Sequence, residues 1–189
     1  LRPTIAQTHY KARAHFDHLA EQLTTAVQRR LDLPLYALQG IRSLFAASGS
    51  VDRSEFRRWV LSDDIPSEFS GALGLGFIQR VMRKDLDRFI ATERNDRAPN
   101  FTVRTSGDAP DLFVVKFIEP LGSNRAALGY DVGSEPIRRA AVEHAMSTGE
   151  ATLSGRITLL QDEQQRAGFL YLLPIYRNGA DPTTQQQRV

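Results

Sequence analysis

Apolar positions recur every three or four residues through the first half of the chain and every second residue in several later runs, so the pattern predicts helices first and mixed helix and sheet after. Thr4 to Leu33 has no internal Pro or Gly and is rich in helix formers, with Pro3 just before it. Ile5, His9, Ala12, Phe16, Leu19, Leu23, Ala26, Arg30 and Leu33 alternate steps of four and three, a heptad seam whose weak members are His9 and Arg30. A helix of that length spans about 45 Å at 1.5 Å per residue. It is expected to project as a stalk and to dimerise. Pro34 is expected to end it. Leu35, Leu38, Ile41, Leu44 and Phe45 then predict a second, shorter helix, stopped at Gly49. Asp52 and Glu55 form a capping box for a third, with Phe56, Trp59, Val60 and Leu61 facing inward and a loop through Asp63, Asp64 and Pro66.

Gly71 to Val81 reads as an apolar, Gly-rich strand. Gly74 and Gly76 suggest a dinucleotide loop, but Gln79 stands where the third glycine belongs, so close packing is the better reading. Leu86, Phe89 and Ile90 mark a helix, followed by a charged loop from Glu93 to Pro99. Phe101–Thr105 and Leu112–Ile118 read as strands on either side of a turn at Ser106-Gly107-Asp108. Ser134 is expected to cap a helix with Pro136 in its first turn, Ile137, Ala140, Ala141, Ala145 and Met146 inward, and Gly149 as its stop. Ala151–Leu160 and Gly168–Tyr176 close the series as two strands joined by the polar hairpin QDEQQRA, and the polar tail after Arg177 carries no packing signal. The stretch Val114 to Tyr176 thus organises an α+β unit able to hold a ligand between sheet and helix. The expected parts are a stalk over 1–34, a ligand-binding module over 35–177 and a tail over 178–189.

Composition narrows the chemistry. In 189 residues, 24 Lys+Arg nearly cancel 22 Asp+Glu, and the net charge of +2 with scattered arginines gives no basic patch for nucleic acid. With no cysteine, thiolate catalysis, disulfides and Cys-based metal sites are excluded. No apolar run reaches the about 20 residues that span a bilayer, and no signal peptide opens the chain. Leu1 in place of Met predicts a piece of a longer protein, trimmed of its membrane segments. His9, His15 and His18 read as exposed stalk residues, and His144 as an ordinary helix histidine. No nucleophile elbow, zinc-helix or P-loop motif is present, which favours binding over catalysis, with no cofactor expected.

Pockets are mostly apolar with a few placed polar groups. Phe117, Ser154, Thr158 and Tyr171 sit on strands that would line such a cavity. By the period of two, Thr152, Ser154, Arg156, Thr158 and Leu160 share a face, and the side that meets the ligand is open. Arg138, Arg139 and Arg156 suit a carboxylate or phosphate. The competing reading is that Arg138 or Arg139 pairs internally with Asp131 or Glu119.

The segments LYALQGIRSLFAASGSVDRSEFRRWV, GALGLGFIQRV, FIEPLGSNRAALGYDVGSEPIRRAAVEHAMSTGEATLS and GFLYLLPIY, in this order, resemble the CHASE domain, an extracytoplasmic sensor of histidine kinases and nucleotide or diguanylate cyclases. The resemblance runs from about Leu35 to Tyr176. It implies a long helix leading from the membrane and PAS-like modules in series, the first made by Val51–Tyr176 and the second, membrane-proximal one incomplete. Plant members bind cytokinins through an Asp and two Thr. Registered on Thr148-Gly149 and Pro174, those positions fall near Arg138, Ser154 and Leu172, and the reversed charge at Arg138 counts against a cytokinin. The expected ligand-contact set is Phe117, Tyr130, Asp131, Arg138, Ser154, Arg156, Thr158, Leu160, Tyr171 and Leu172. The resemblance implies a periplasmic, ligand-binding sensor of a bacterial inner-membrane receptor, homodimeric through its first helix, with an unidentified small molecule or peptide as ligand. The runner-up is a cytoplasmic PAS-like module that binds a cofactor or a protein. A small hydrolase would need an acid–base pair that the sequence does not offer.

Overall fold

The computed structural model describes residues 5–62, 71–160 and 167–177, and the side chains from Tyr10 onward within them. Ile5 and His9, the first members of the seam, therefore lie outside the described side chains, as do the QDEQQR part of the hairpin and the loop after Ser62. The chain divides into two compact units, Leu1–Ala37 and Leu38–Val189. Its architecture is α+β, with a long N-terminal helix and small antiparallel sheets. No described helix is long and apolar enough to cross a membrane.

Helix α1 is Ile5–Ala47 and includes Pro34. The expected break at Pro34 does not occur. Proline forfeits one hydrogen bond, to the carbonyl four residues earlier, but helix formers flank it on both sides and the predicted first and second helices join into one. Phe16 is 68% exposed, Leu19 49% and Leu23 67%, so this stretch of the seam is bare. Helix α2, Arg53–Ser62, begins with the expected capping box: Glu55 N–H donates to Asp52 Oδ1 at 2.8 Å and Asp52 N–H to Glu55 Oε2 at 3.0 Å. Phe56 and Val60 are buried, Trp59 packs beside them, and Leu61, expected inward, is exposed. Gly40 accepts the Trp59 ring, since a Cβ there would stand 2.7 Å from Trp59 Cζ2.

Strand β1 (Leu75–Met82) pairs antiparallel with β2 (Asp111–Glu119). The register runs Phe77 opposite Phe117 and then Ile78 opposite Val115, which leaves Lys116 as a bulge. That extra residue changes which side chains share a face. Leu112 and Val114 pack with Val81, Phe89 and Phe101 against helix α3 (Leu86–Asn95). Phe117 packs on Ile41, Val51, Phe56 and Val60. Phe113, Val115 and Ile118 form the opposite layer with Ile78, Val132, Val142 and Met146. The strand is buried almost throughout because helices cover both faces.

Phe101–Thr105 is not a strand. Only Arg104 bridges, to Tyr130, while Phe101 is a buried plug whose ring meets Phe89 edge-on at 5.8 Å. The alternation in the sequence marks one anchored side chain, not a ladder. After the short helix α4 (Leu121–Asn124) and a 3₁₀ turn at Val132–Ser134, helix α5 runs from Pro136 to Thr148. Its cap is Glu135, not Ser134, because the Glu135 carboxylate reaches the Ile137 and Arg138 amides at 2.9 and 3.0 Å. Gly149 ends it in the left-handed conformation, φ 82°. Ala141, Val142 and Ala145 face the core, whereas Ile137 and Ala140, expected inward, are exposed.

The two expected closing strands are broken into four short ones: β3 (Thr152–Leu153) pairs with β6 (Tyr171–Leu172), and β4 (Ile157–Thr158) with β5 (Ala167–Gly168). Between those pairings Ser154, Gly155 and Arg156 stand opposite only Phe169 and Leu170. The unequal count ends the ladder and turns the strand about its axis.

Candidate functional site

The residues expected to meet a ligand divide between two places. Tyr130, Arg138, Ser154, Thr158 and Leu172 come together where the start of α5 meets the closing strands, over the layer formed by Ile78, Phe113 and Val115. Phe117 lies in the helical core on the other face of β2, 1% exposed, because the Lys116 bulge puts it there. Arg156, Thr158 and Leu160 are exposed while Ser154 and Ile157 are buried, so the single face expected from the period of two does not form. Tyr171 is half-buried on β6, opposite Leu153.

Arg138 is the centre of this region. It is buried, at 7% exposure, at the first turn of α5. Its Nη2 donates to the Thr158 carbonyl at 2.6 Å, Glu135 Oε2 lies 3.6 Å from Nη1, and the guanidinium stands 5.5 Å from the Tyr130 ring centroid. A guanidinium over an aromatic face keeps a planar fork of donors presented edgewise. The Ser154 hydroxyl donates to the Gly155 carbonyl at 2.8 Å and accepts from the Leu170 amide at 2.9 Å, which secures the irregular turn between β3 and β4. Ile137 reaches to 3.0 Å of where a Gly155 Cβ would be, so this turn is pressed onto α5.

Asp131 is 2% exposed and fully engaged. Oδ1 accepts from the Phe113 and Gly133 amides at 2.8 and 2.9 Å, and Oδ2 from the Thr105 hydroxyl at 2.7 Å. It pairs with neither Arg138 nor Arg139. Arg139 instead meets Asp111 at 3.2 Å and Glu143 at 2.8 Å, and donates to the Gly133 carbonyl at 2.7 Å. Asp111 also takes Arg80 at 2.7 Å. Burial pushes the Asp111 carboxyl up, but the hydrogen bonds and charges of Arg80 and Arg139 outweigh it and hold the group below the ordinary carboxylate value. These bonds tie α5 to the start of β2, and Tyr176 fastens the other end by donating to the Met146 carbonyl at 2.7 Å.

The internal pairing expected for one of the arginines thus exists with other partners: Glu135 and Glu143 stand at helical spacing from Arg138 and Arg139, whereas Asp111 comes from a strand distant in sequence. Glu135, Ile78, Val142, Met146 and Leu170 also belong to the region and were not in the expected set. Val142 and Met146 follow from Arg138 by helical spacing alone. Leu170 could not be placed without the register of the closing strands. Two open surface depressions lie elsewhere in the described residues, one along α1 by His18, Gln22 and Arg29 and one on α2 by Ser54, Arg57 and Arg58. Neither has a buried polar group aimed into it.

The region gathers a buried cation, an aromatic face, backbone carbonyls and an apolar floor, with the Ser154 hydroxyl occupied by main chain. A family model for the CHASE domain matches residues 49–189. No curated protein matches the chain.

Proposed function

The chain belongs to the CHASE domain family, whose members are extracytoplasmic sensor domains of signalling receptors, and on that premise we propose that it is the periplasmic ligand-binding part of a transmembrane histidine kinase or diguanylate cyclase. The β1–β2 sheet, α5 and the closing strands act as a PAS-like module. Its ligand is a small molecule or short peptide carrying a carboxylate or phosphate, and Arg138 reads that group. The observation that carries this reading is the buried Arg138 guanidinium, held over Tyr130 beside the exposed strand residue Thr158. An anion that engages the fork competes with the Thr158 carbonyl and so acts on the closing strands. Two copies of the chain pair along α1, and the ligand shifts the pair between two arrangements by no more than its difference in affinity for them.

A thermal-shift screen against organic acids, amino acids, phosphorylated metabolites, sugars and nucleobases tests the reading. A specific ligand raises stability by roughly 2.7 kcal/mol at a hundredfold excess over Kd. The expected hits carry an anionic group and disappear in Arg138→Met. Hits confined to uncharged compounds, or unchanged in that variant, overturn the assignment of Arg138. No hit in any class counts against a small-molecule sensor.

A further inference from the structure

Another charged group is buried where three elements meet, and the ligand-binding reading makes no use of it. Glu93, near the end of α3, is 1% exposed. Its Oε2 lies 2.9 Å from Arg53 Nη2 at the start of α2, and its Oε1 lies 3.1 Å from Lys116 Nζ at the β2 bulge. Arg53 has further anchors. It donates to the Lys116 and Asp96 carbonyls at 3.0 and 3.2 Å, and its own amide donates to Asp96 Oδ2 at 2.9 Å. Lys116 has Glu93 as its counter-charge and the Phe117 ring at 5.0 Å. Both cations are near the surface, with side chains 15% and 19% exposed, so each can turn to water without opening the core.

We propose that Glu93 is a proton-responsive latch: when its carboxylate takes a proton, Lys116 leaves it, the bulge loosens, and α2 shifts against β2. The other charged groups around the latch do not substitute for it. From α2, Arg53 stays on backbone carbonyls, and Asp52 is occupied in capping that helix. From α3, Arg94 donates to the Phe101 carbonyl; beyond it, Asp96 holds the Arg53 amide and Arg97 donates to the Ser54 hydroxyl. From β2, Lys116 alone faces the carboxylate.

Burial raises the Glu93 carboxyl above its ordinary value, against the pull of Lys116 and Arg53. A carboxyl raised in the folded state binds its proton more readily there than in the unfolded chain. As pH falls through that raised value, proton uptake therefore favours the folded state, and the latch works inside the native protein instead of unfolding it.

Trp59, the chain's single tryptophan, lies on α2 and reports the movement. Its emission in the wild type, followed from neutral pH downward, is expected to change in a one-proton step that finishes before far-UV circular dichroism is lost. In Glu93→Gln the step is expected to vanish, with emission at neutral pH already at the acid value. Lys116→Met, which removes the other half of the broken contact, is expected to show the acid emission already at neutral pH and no step; this arm stands even if Glu93→Gln does not fold. A step that persists in Glu93→Gln or in Lys116→Met, or that coincides with unfolding, overturns the latch. None of these outcomes depends on the identity of the ligand.

Discussion

Arg138 lays its guanidinium 5.5 Å from the centroid of the Tyr130 ring, joining the first turn of α5 to the segment that follows α4. The contact is between a buried cation and a half-buried ring, so it acts on stability. Arg138→Met keeps the aliphatic stem and removes the bond to the Thr158 carbonyl. It is expected to destabilise the chain by about 1.5–3 kcal/mol, the usual worth of a charged hydrogen bond. Urea unfolding measures this, and an unchanged midpoint would mean that the Thr158 contact contributes nothing.

Gly129 sits at φ 73°, and a methyl there would overlap the Thr102 carbonyl. The overlap is with backbone, which cannot rotate away, and the amide and carbonyl of Gly129 bond Val115 and Arg104 at 2.9 Å each. Gly129→Ala is therefore expected to cost about 1–3 kcal/mol. Thermal denaturation beside Gly107→Ala, whose positive φ stands in open space, separates crowding from backbone strain. Equal losses in the two variants would assign the effect to strain alone.

The Asp111 carboxyl is held below its ordinary value by Arg80 and Arg139. A depressed carboxyl contributes stability above its unfolded value and loses it as pH falls through the folded one. Asp111→Asn is thus expected to be less stable than the wild type at neutral pH, with the gap closing in strong acid. Chemical unfolding at a series of pH values gives the difference curve, and a gap independent of pH would remove Asp111 from the linkage.

The exposed seam of α1 makes its own prediction. Replacing Phe16, Leu19 and Leu23 with Ser leaves the described core untouched, since all three are exposed. If two copies pair there, the mass in solution is expected to halve on substitution. Sedimentation equilibrium decides it, and the same mass before and after would exclude pairing through this stretch.

Some features followed from neighbouring residues. The capping box at Asp52 and Glu55, the stop at Gly149, the apolar run of β2 and the α+β order were legible because caps, propensity and short-range periodicity act within one or two turns of chain. The motifs in their order also carried the family. Other features depended on partners far away in sequence. Lys116 becomes a bulge only when β1 pairs with β2, and that pairing sends Phe117 to the helical core. Ser154, Gly155 and Arg156 face two residues instead of three only when the closing strands meet, and that count separates buried Ser154 from exposed Arg156. Pro34 locally favours a break, while the observed helix continues through it. A strand shows one alternation along its length only if its register is unbroken, and register is set by tertiary pairing. The sequence by itself therefore determined the caps, the apolar runs and the order of helix and sheet, and the tertiary structure decided where elements join or break and which side chains share a wall.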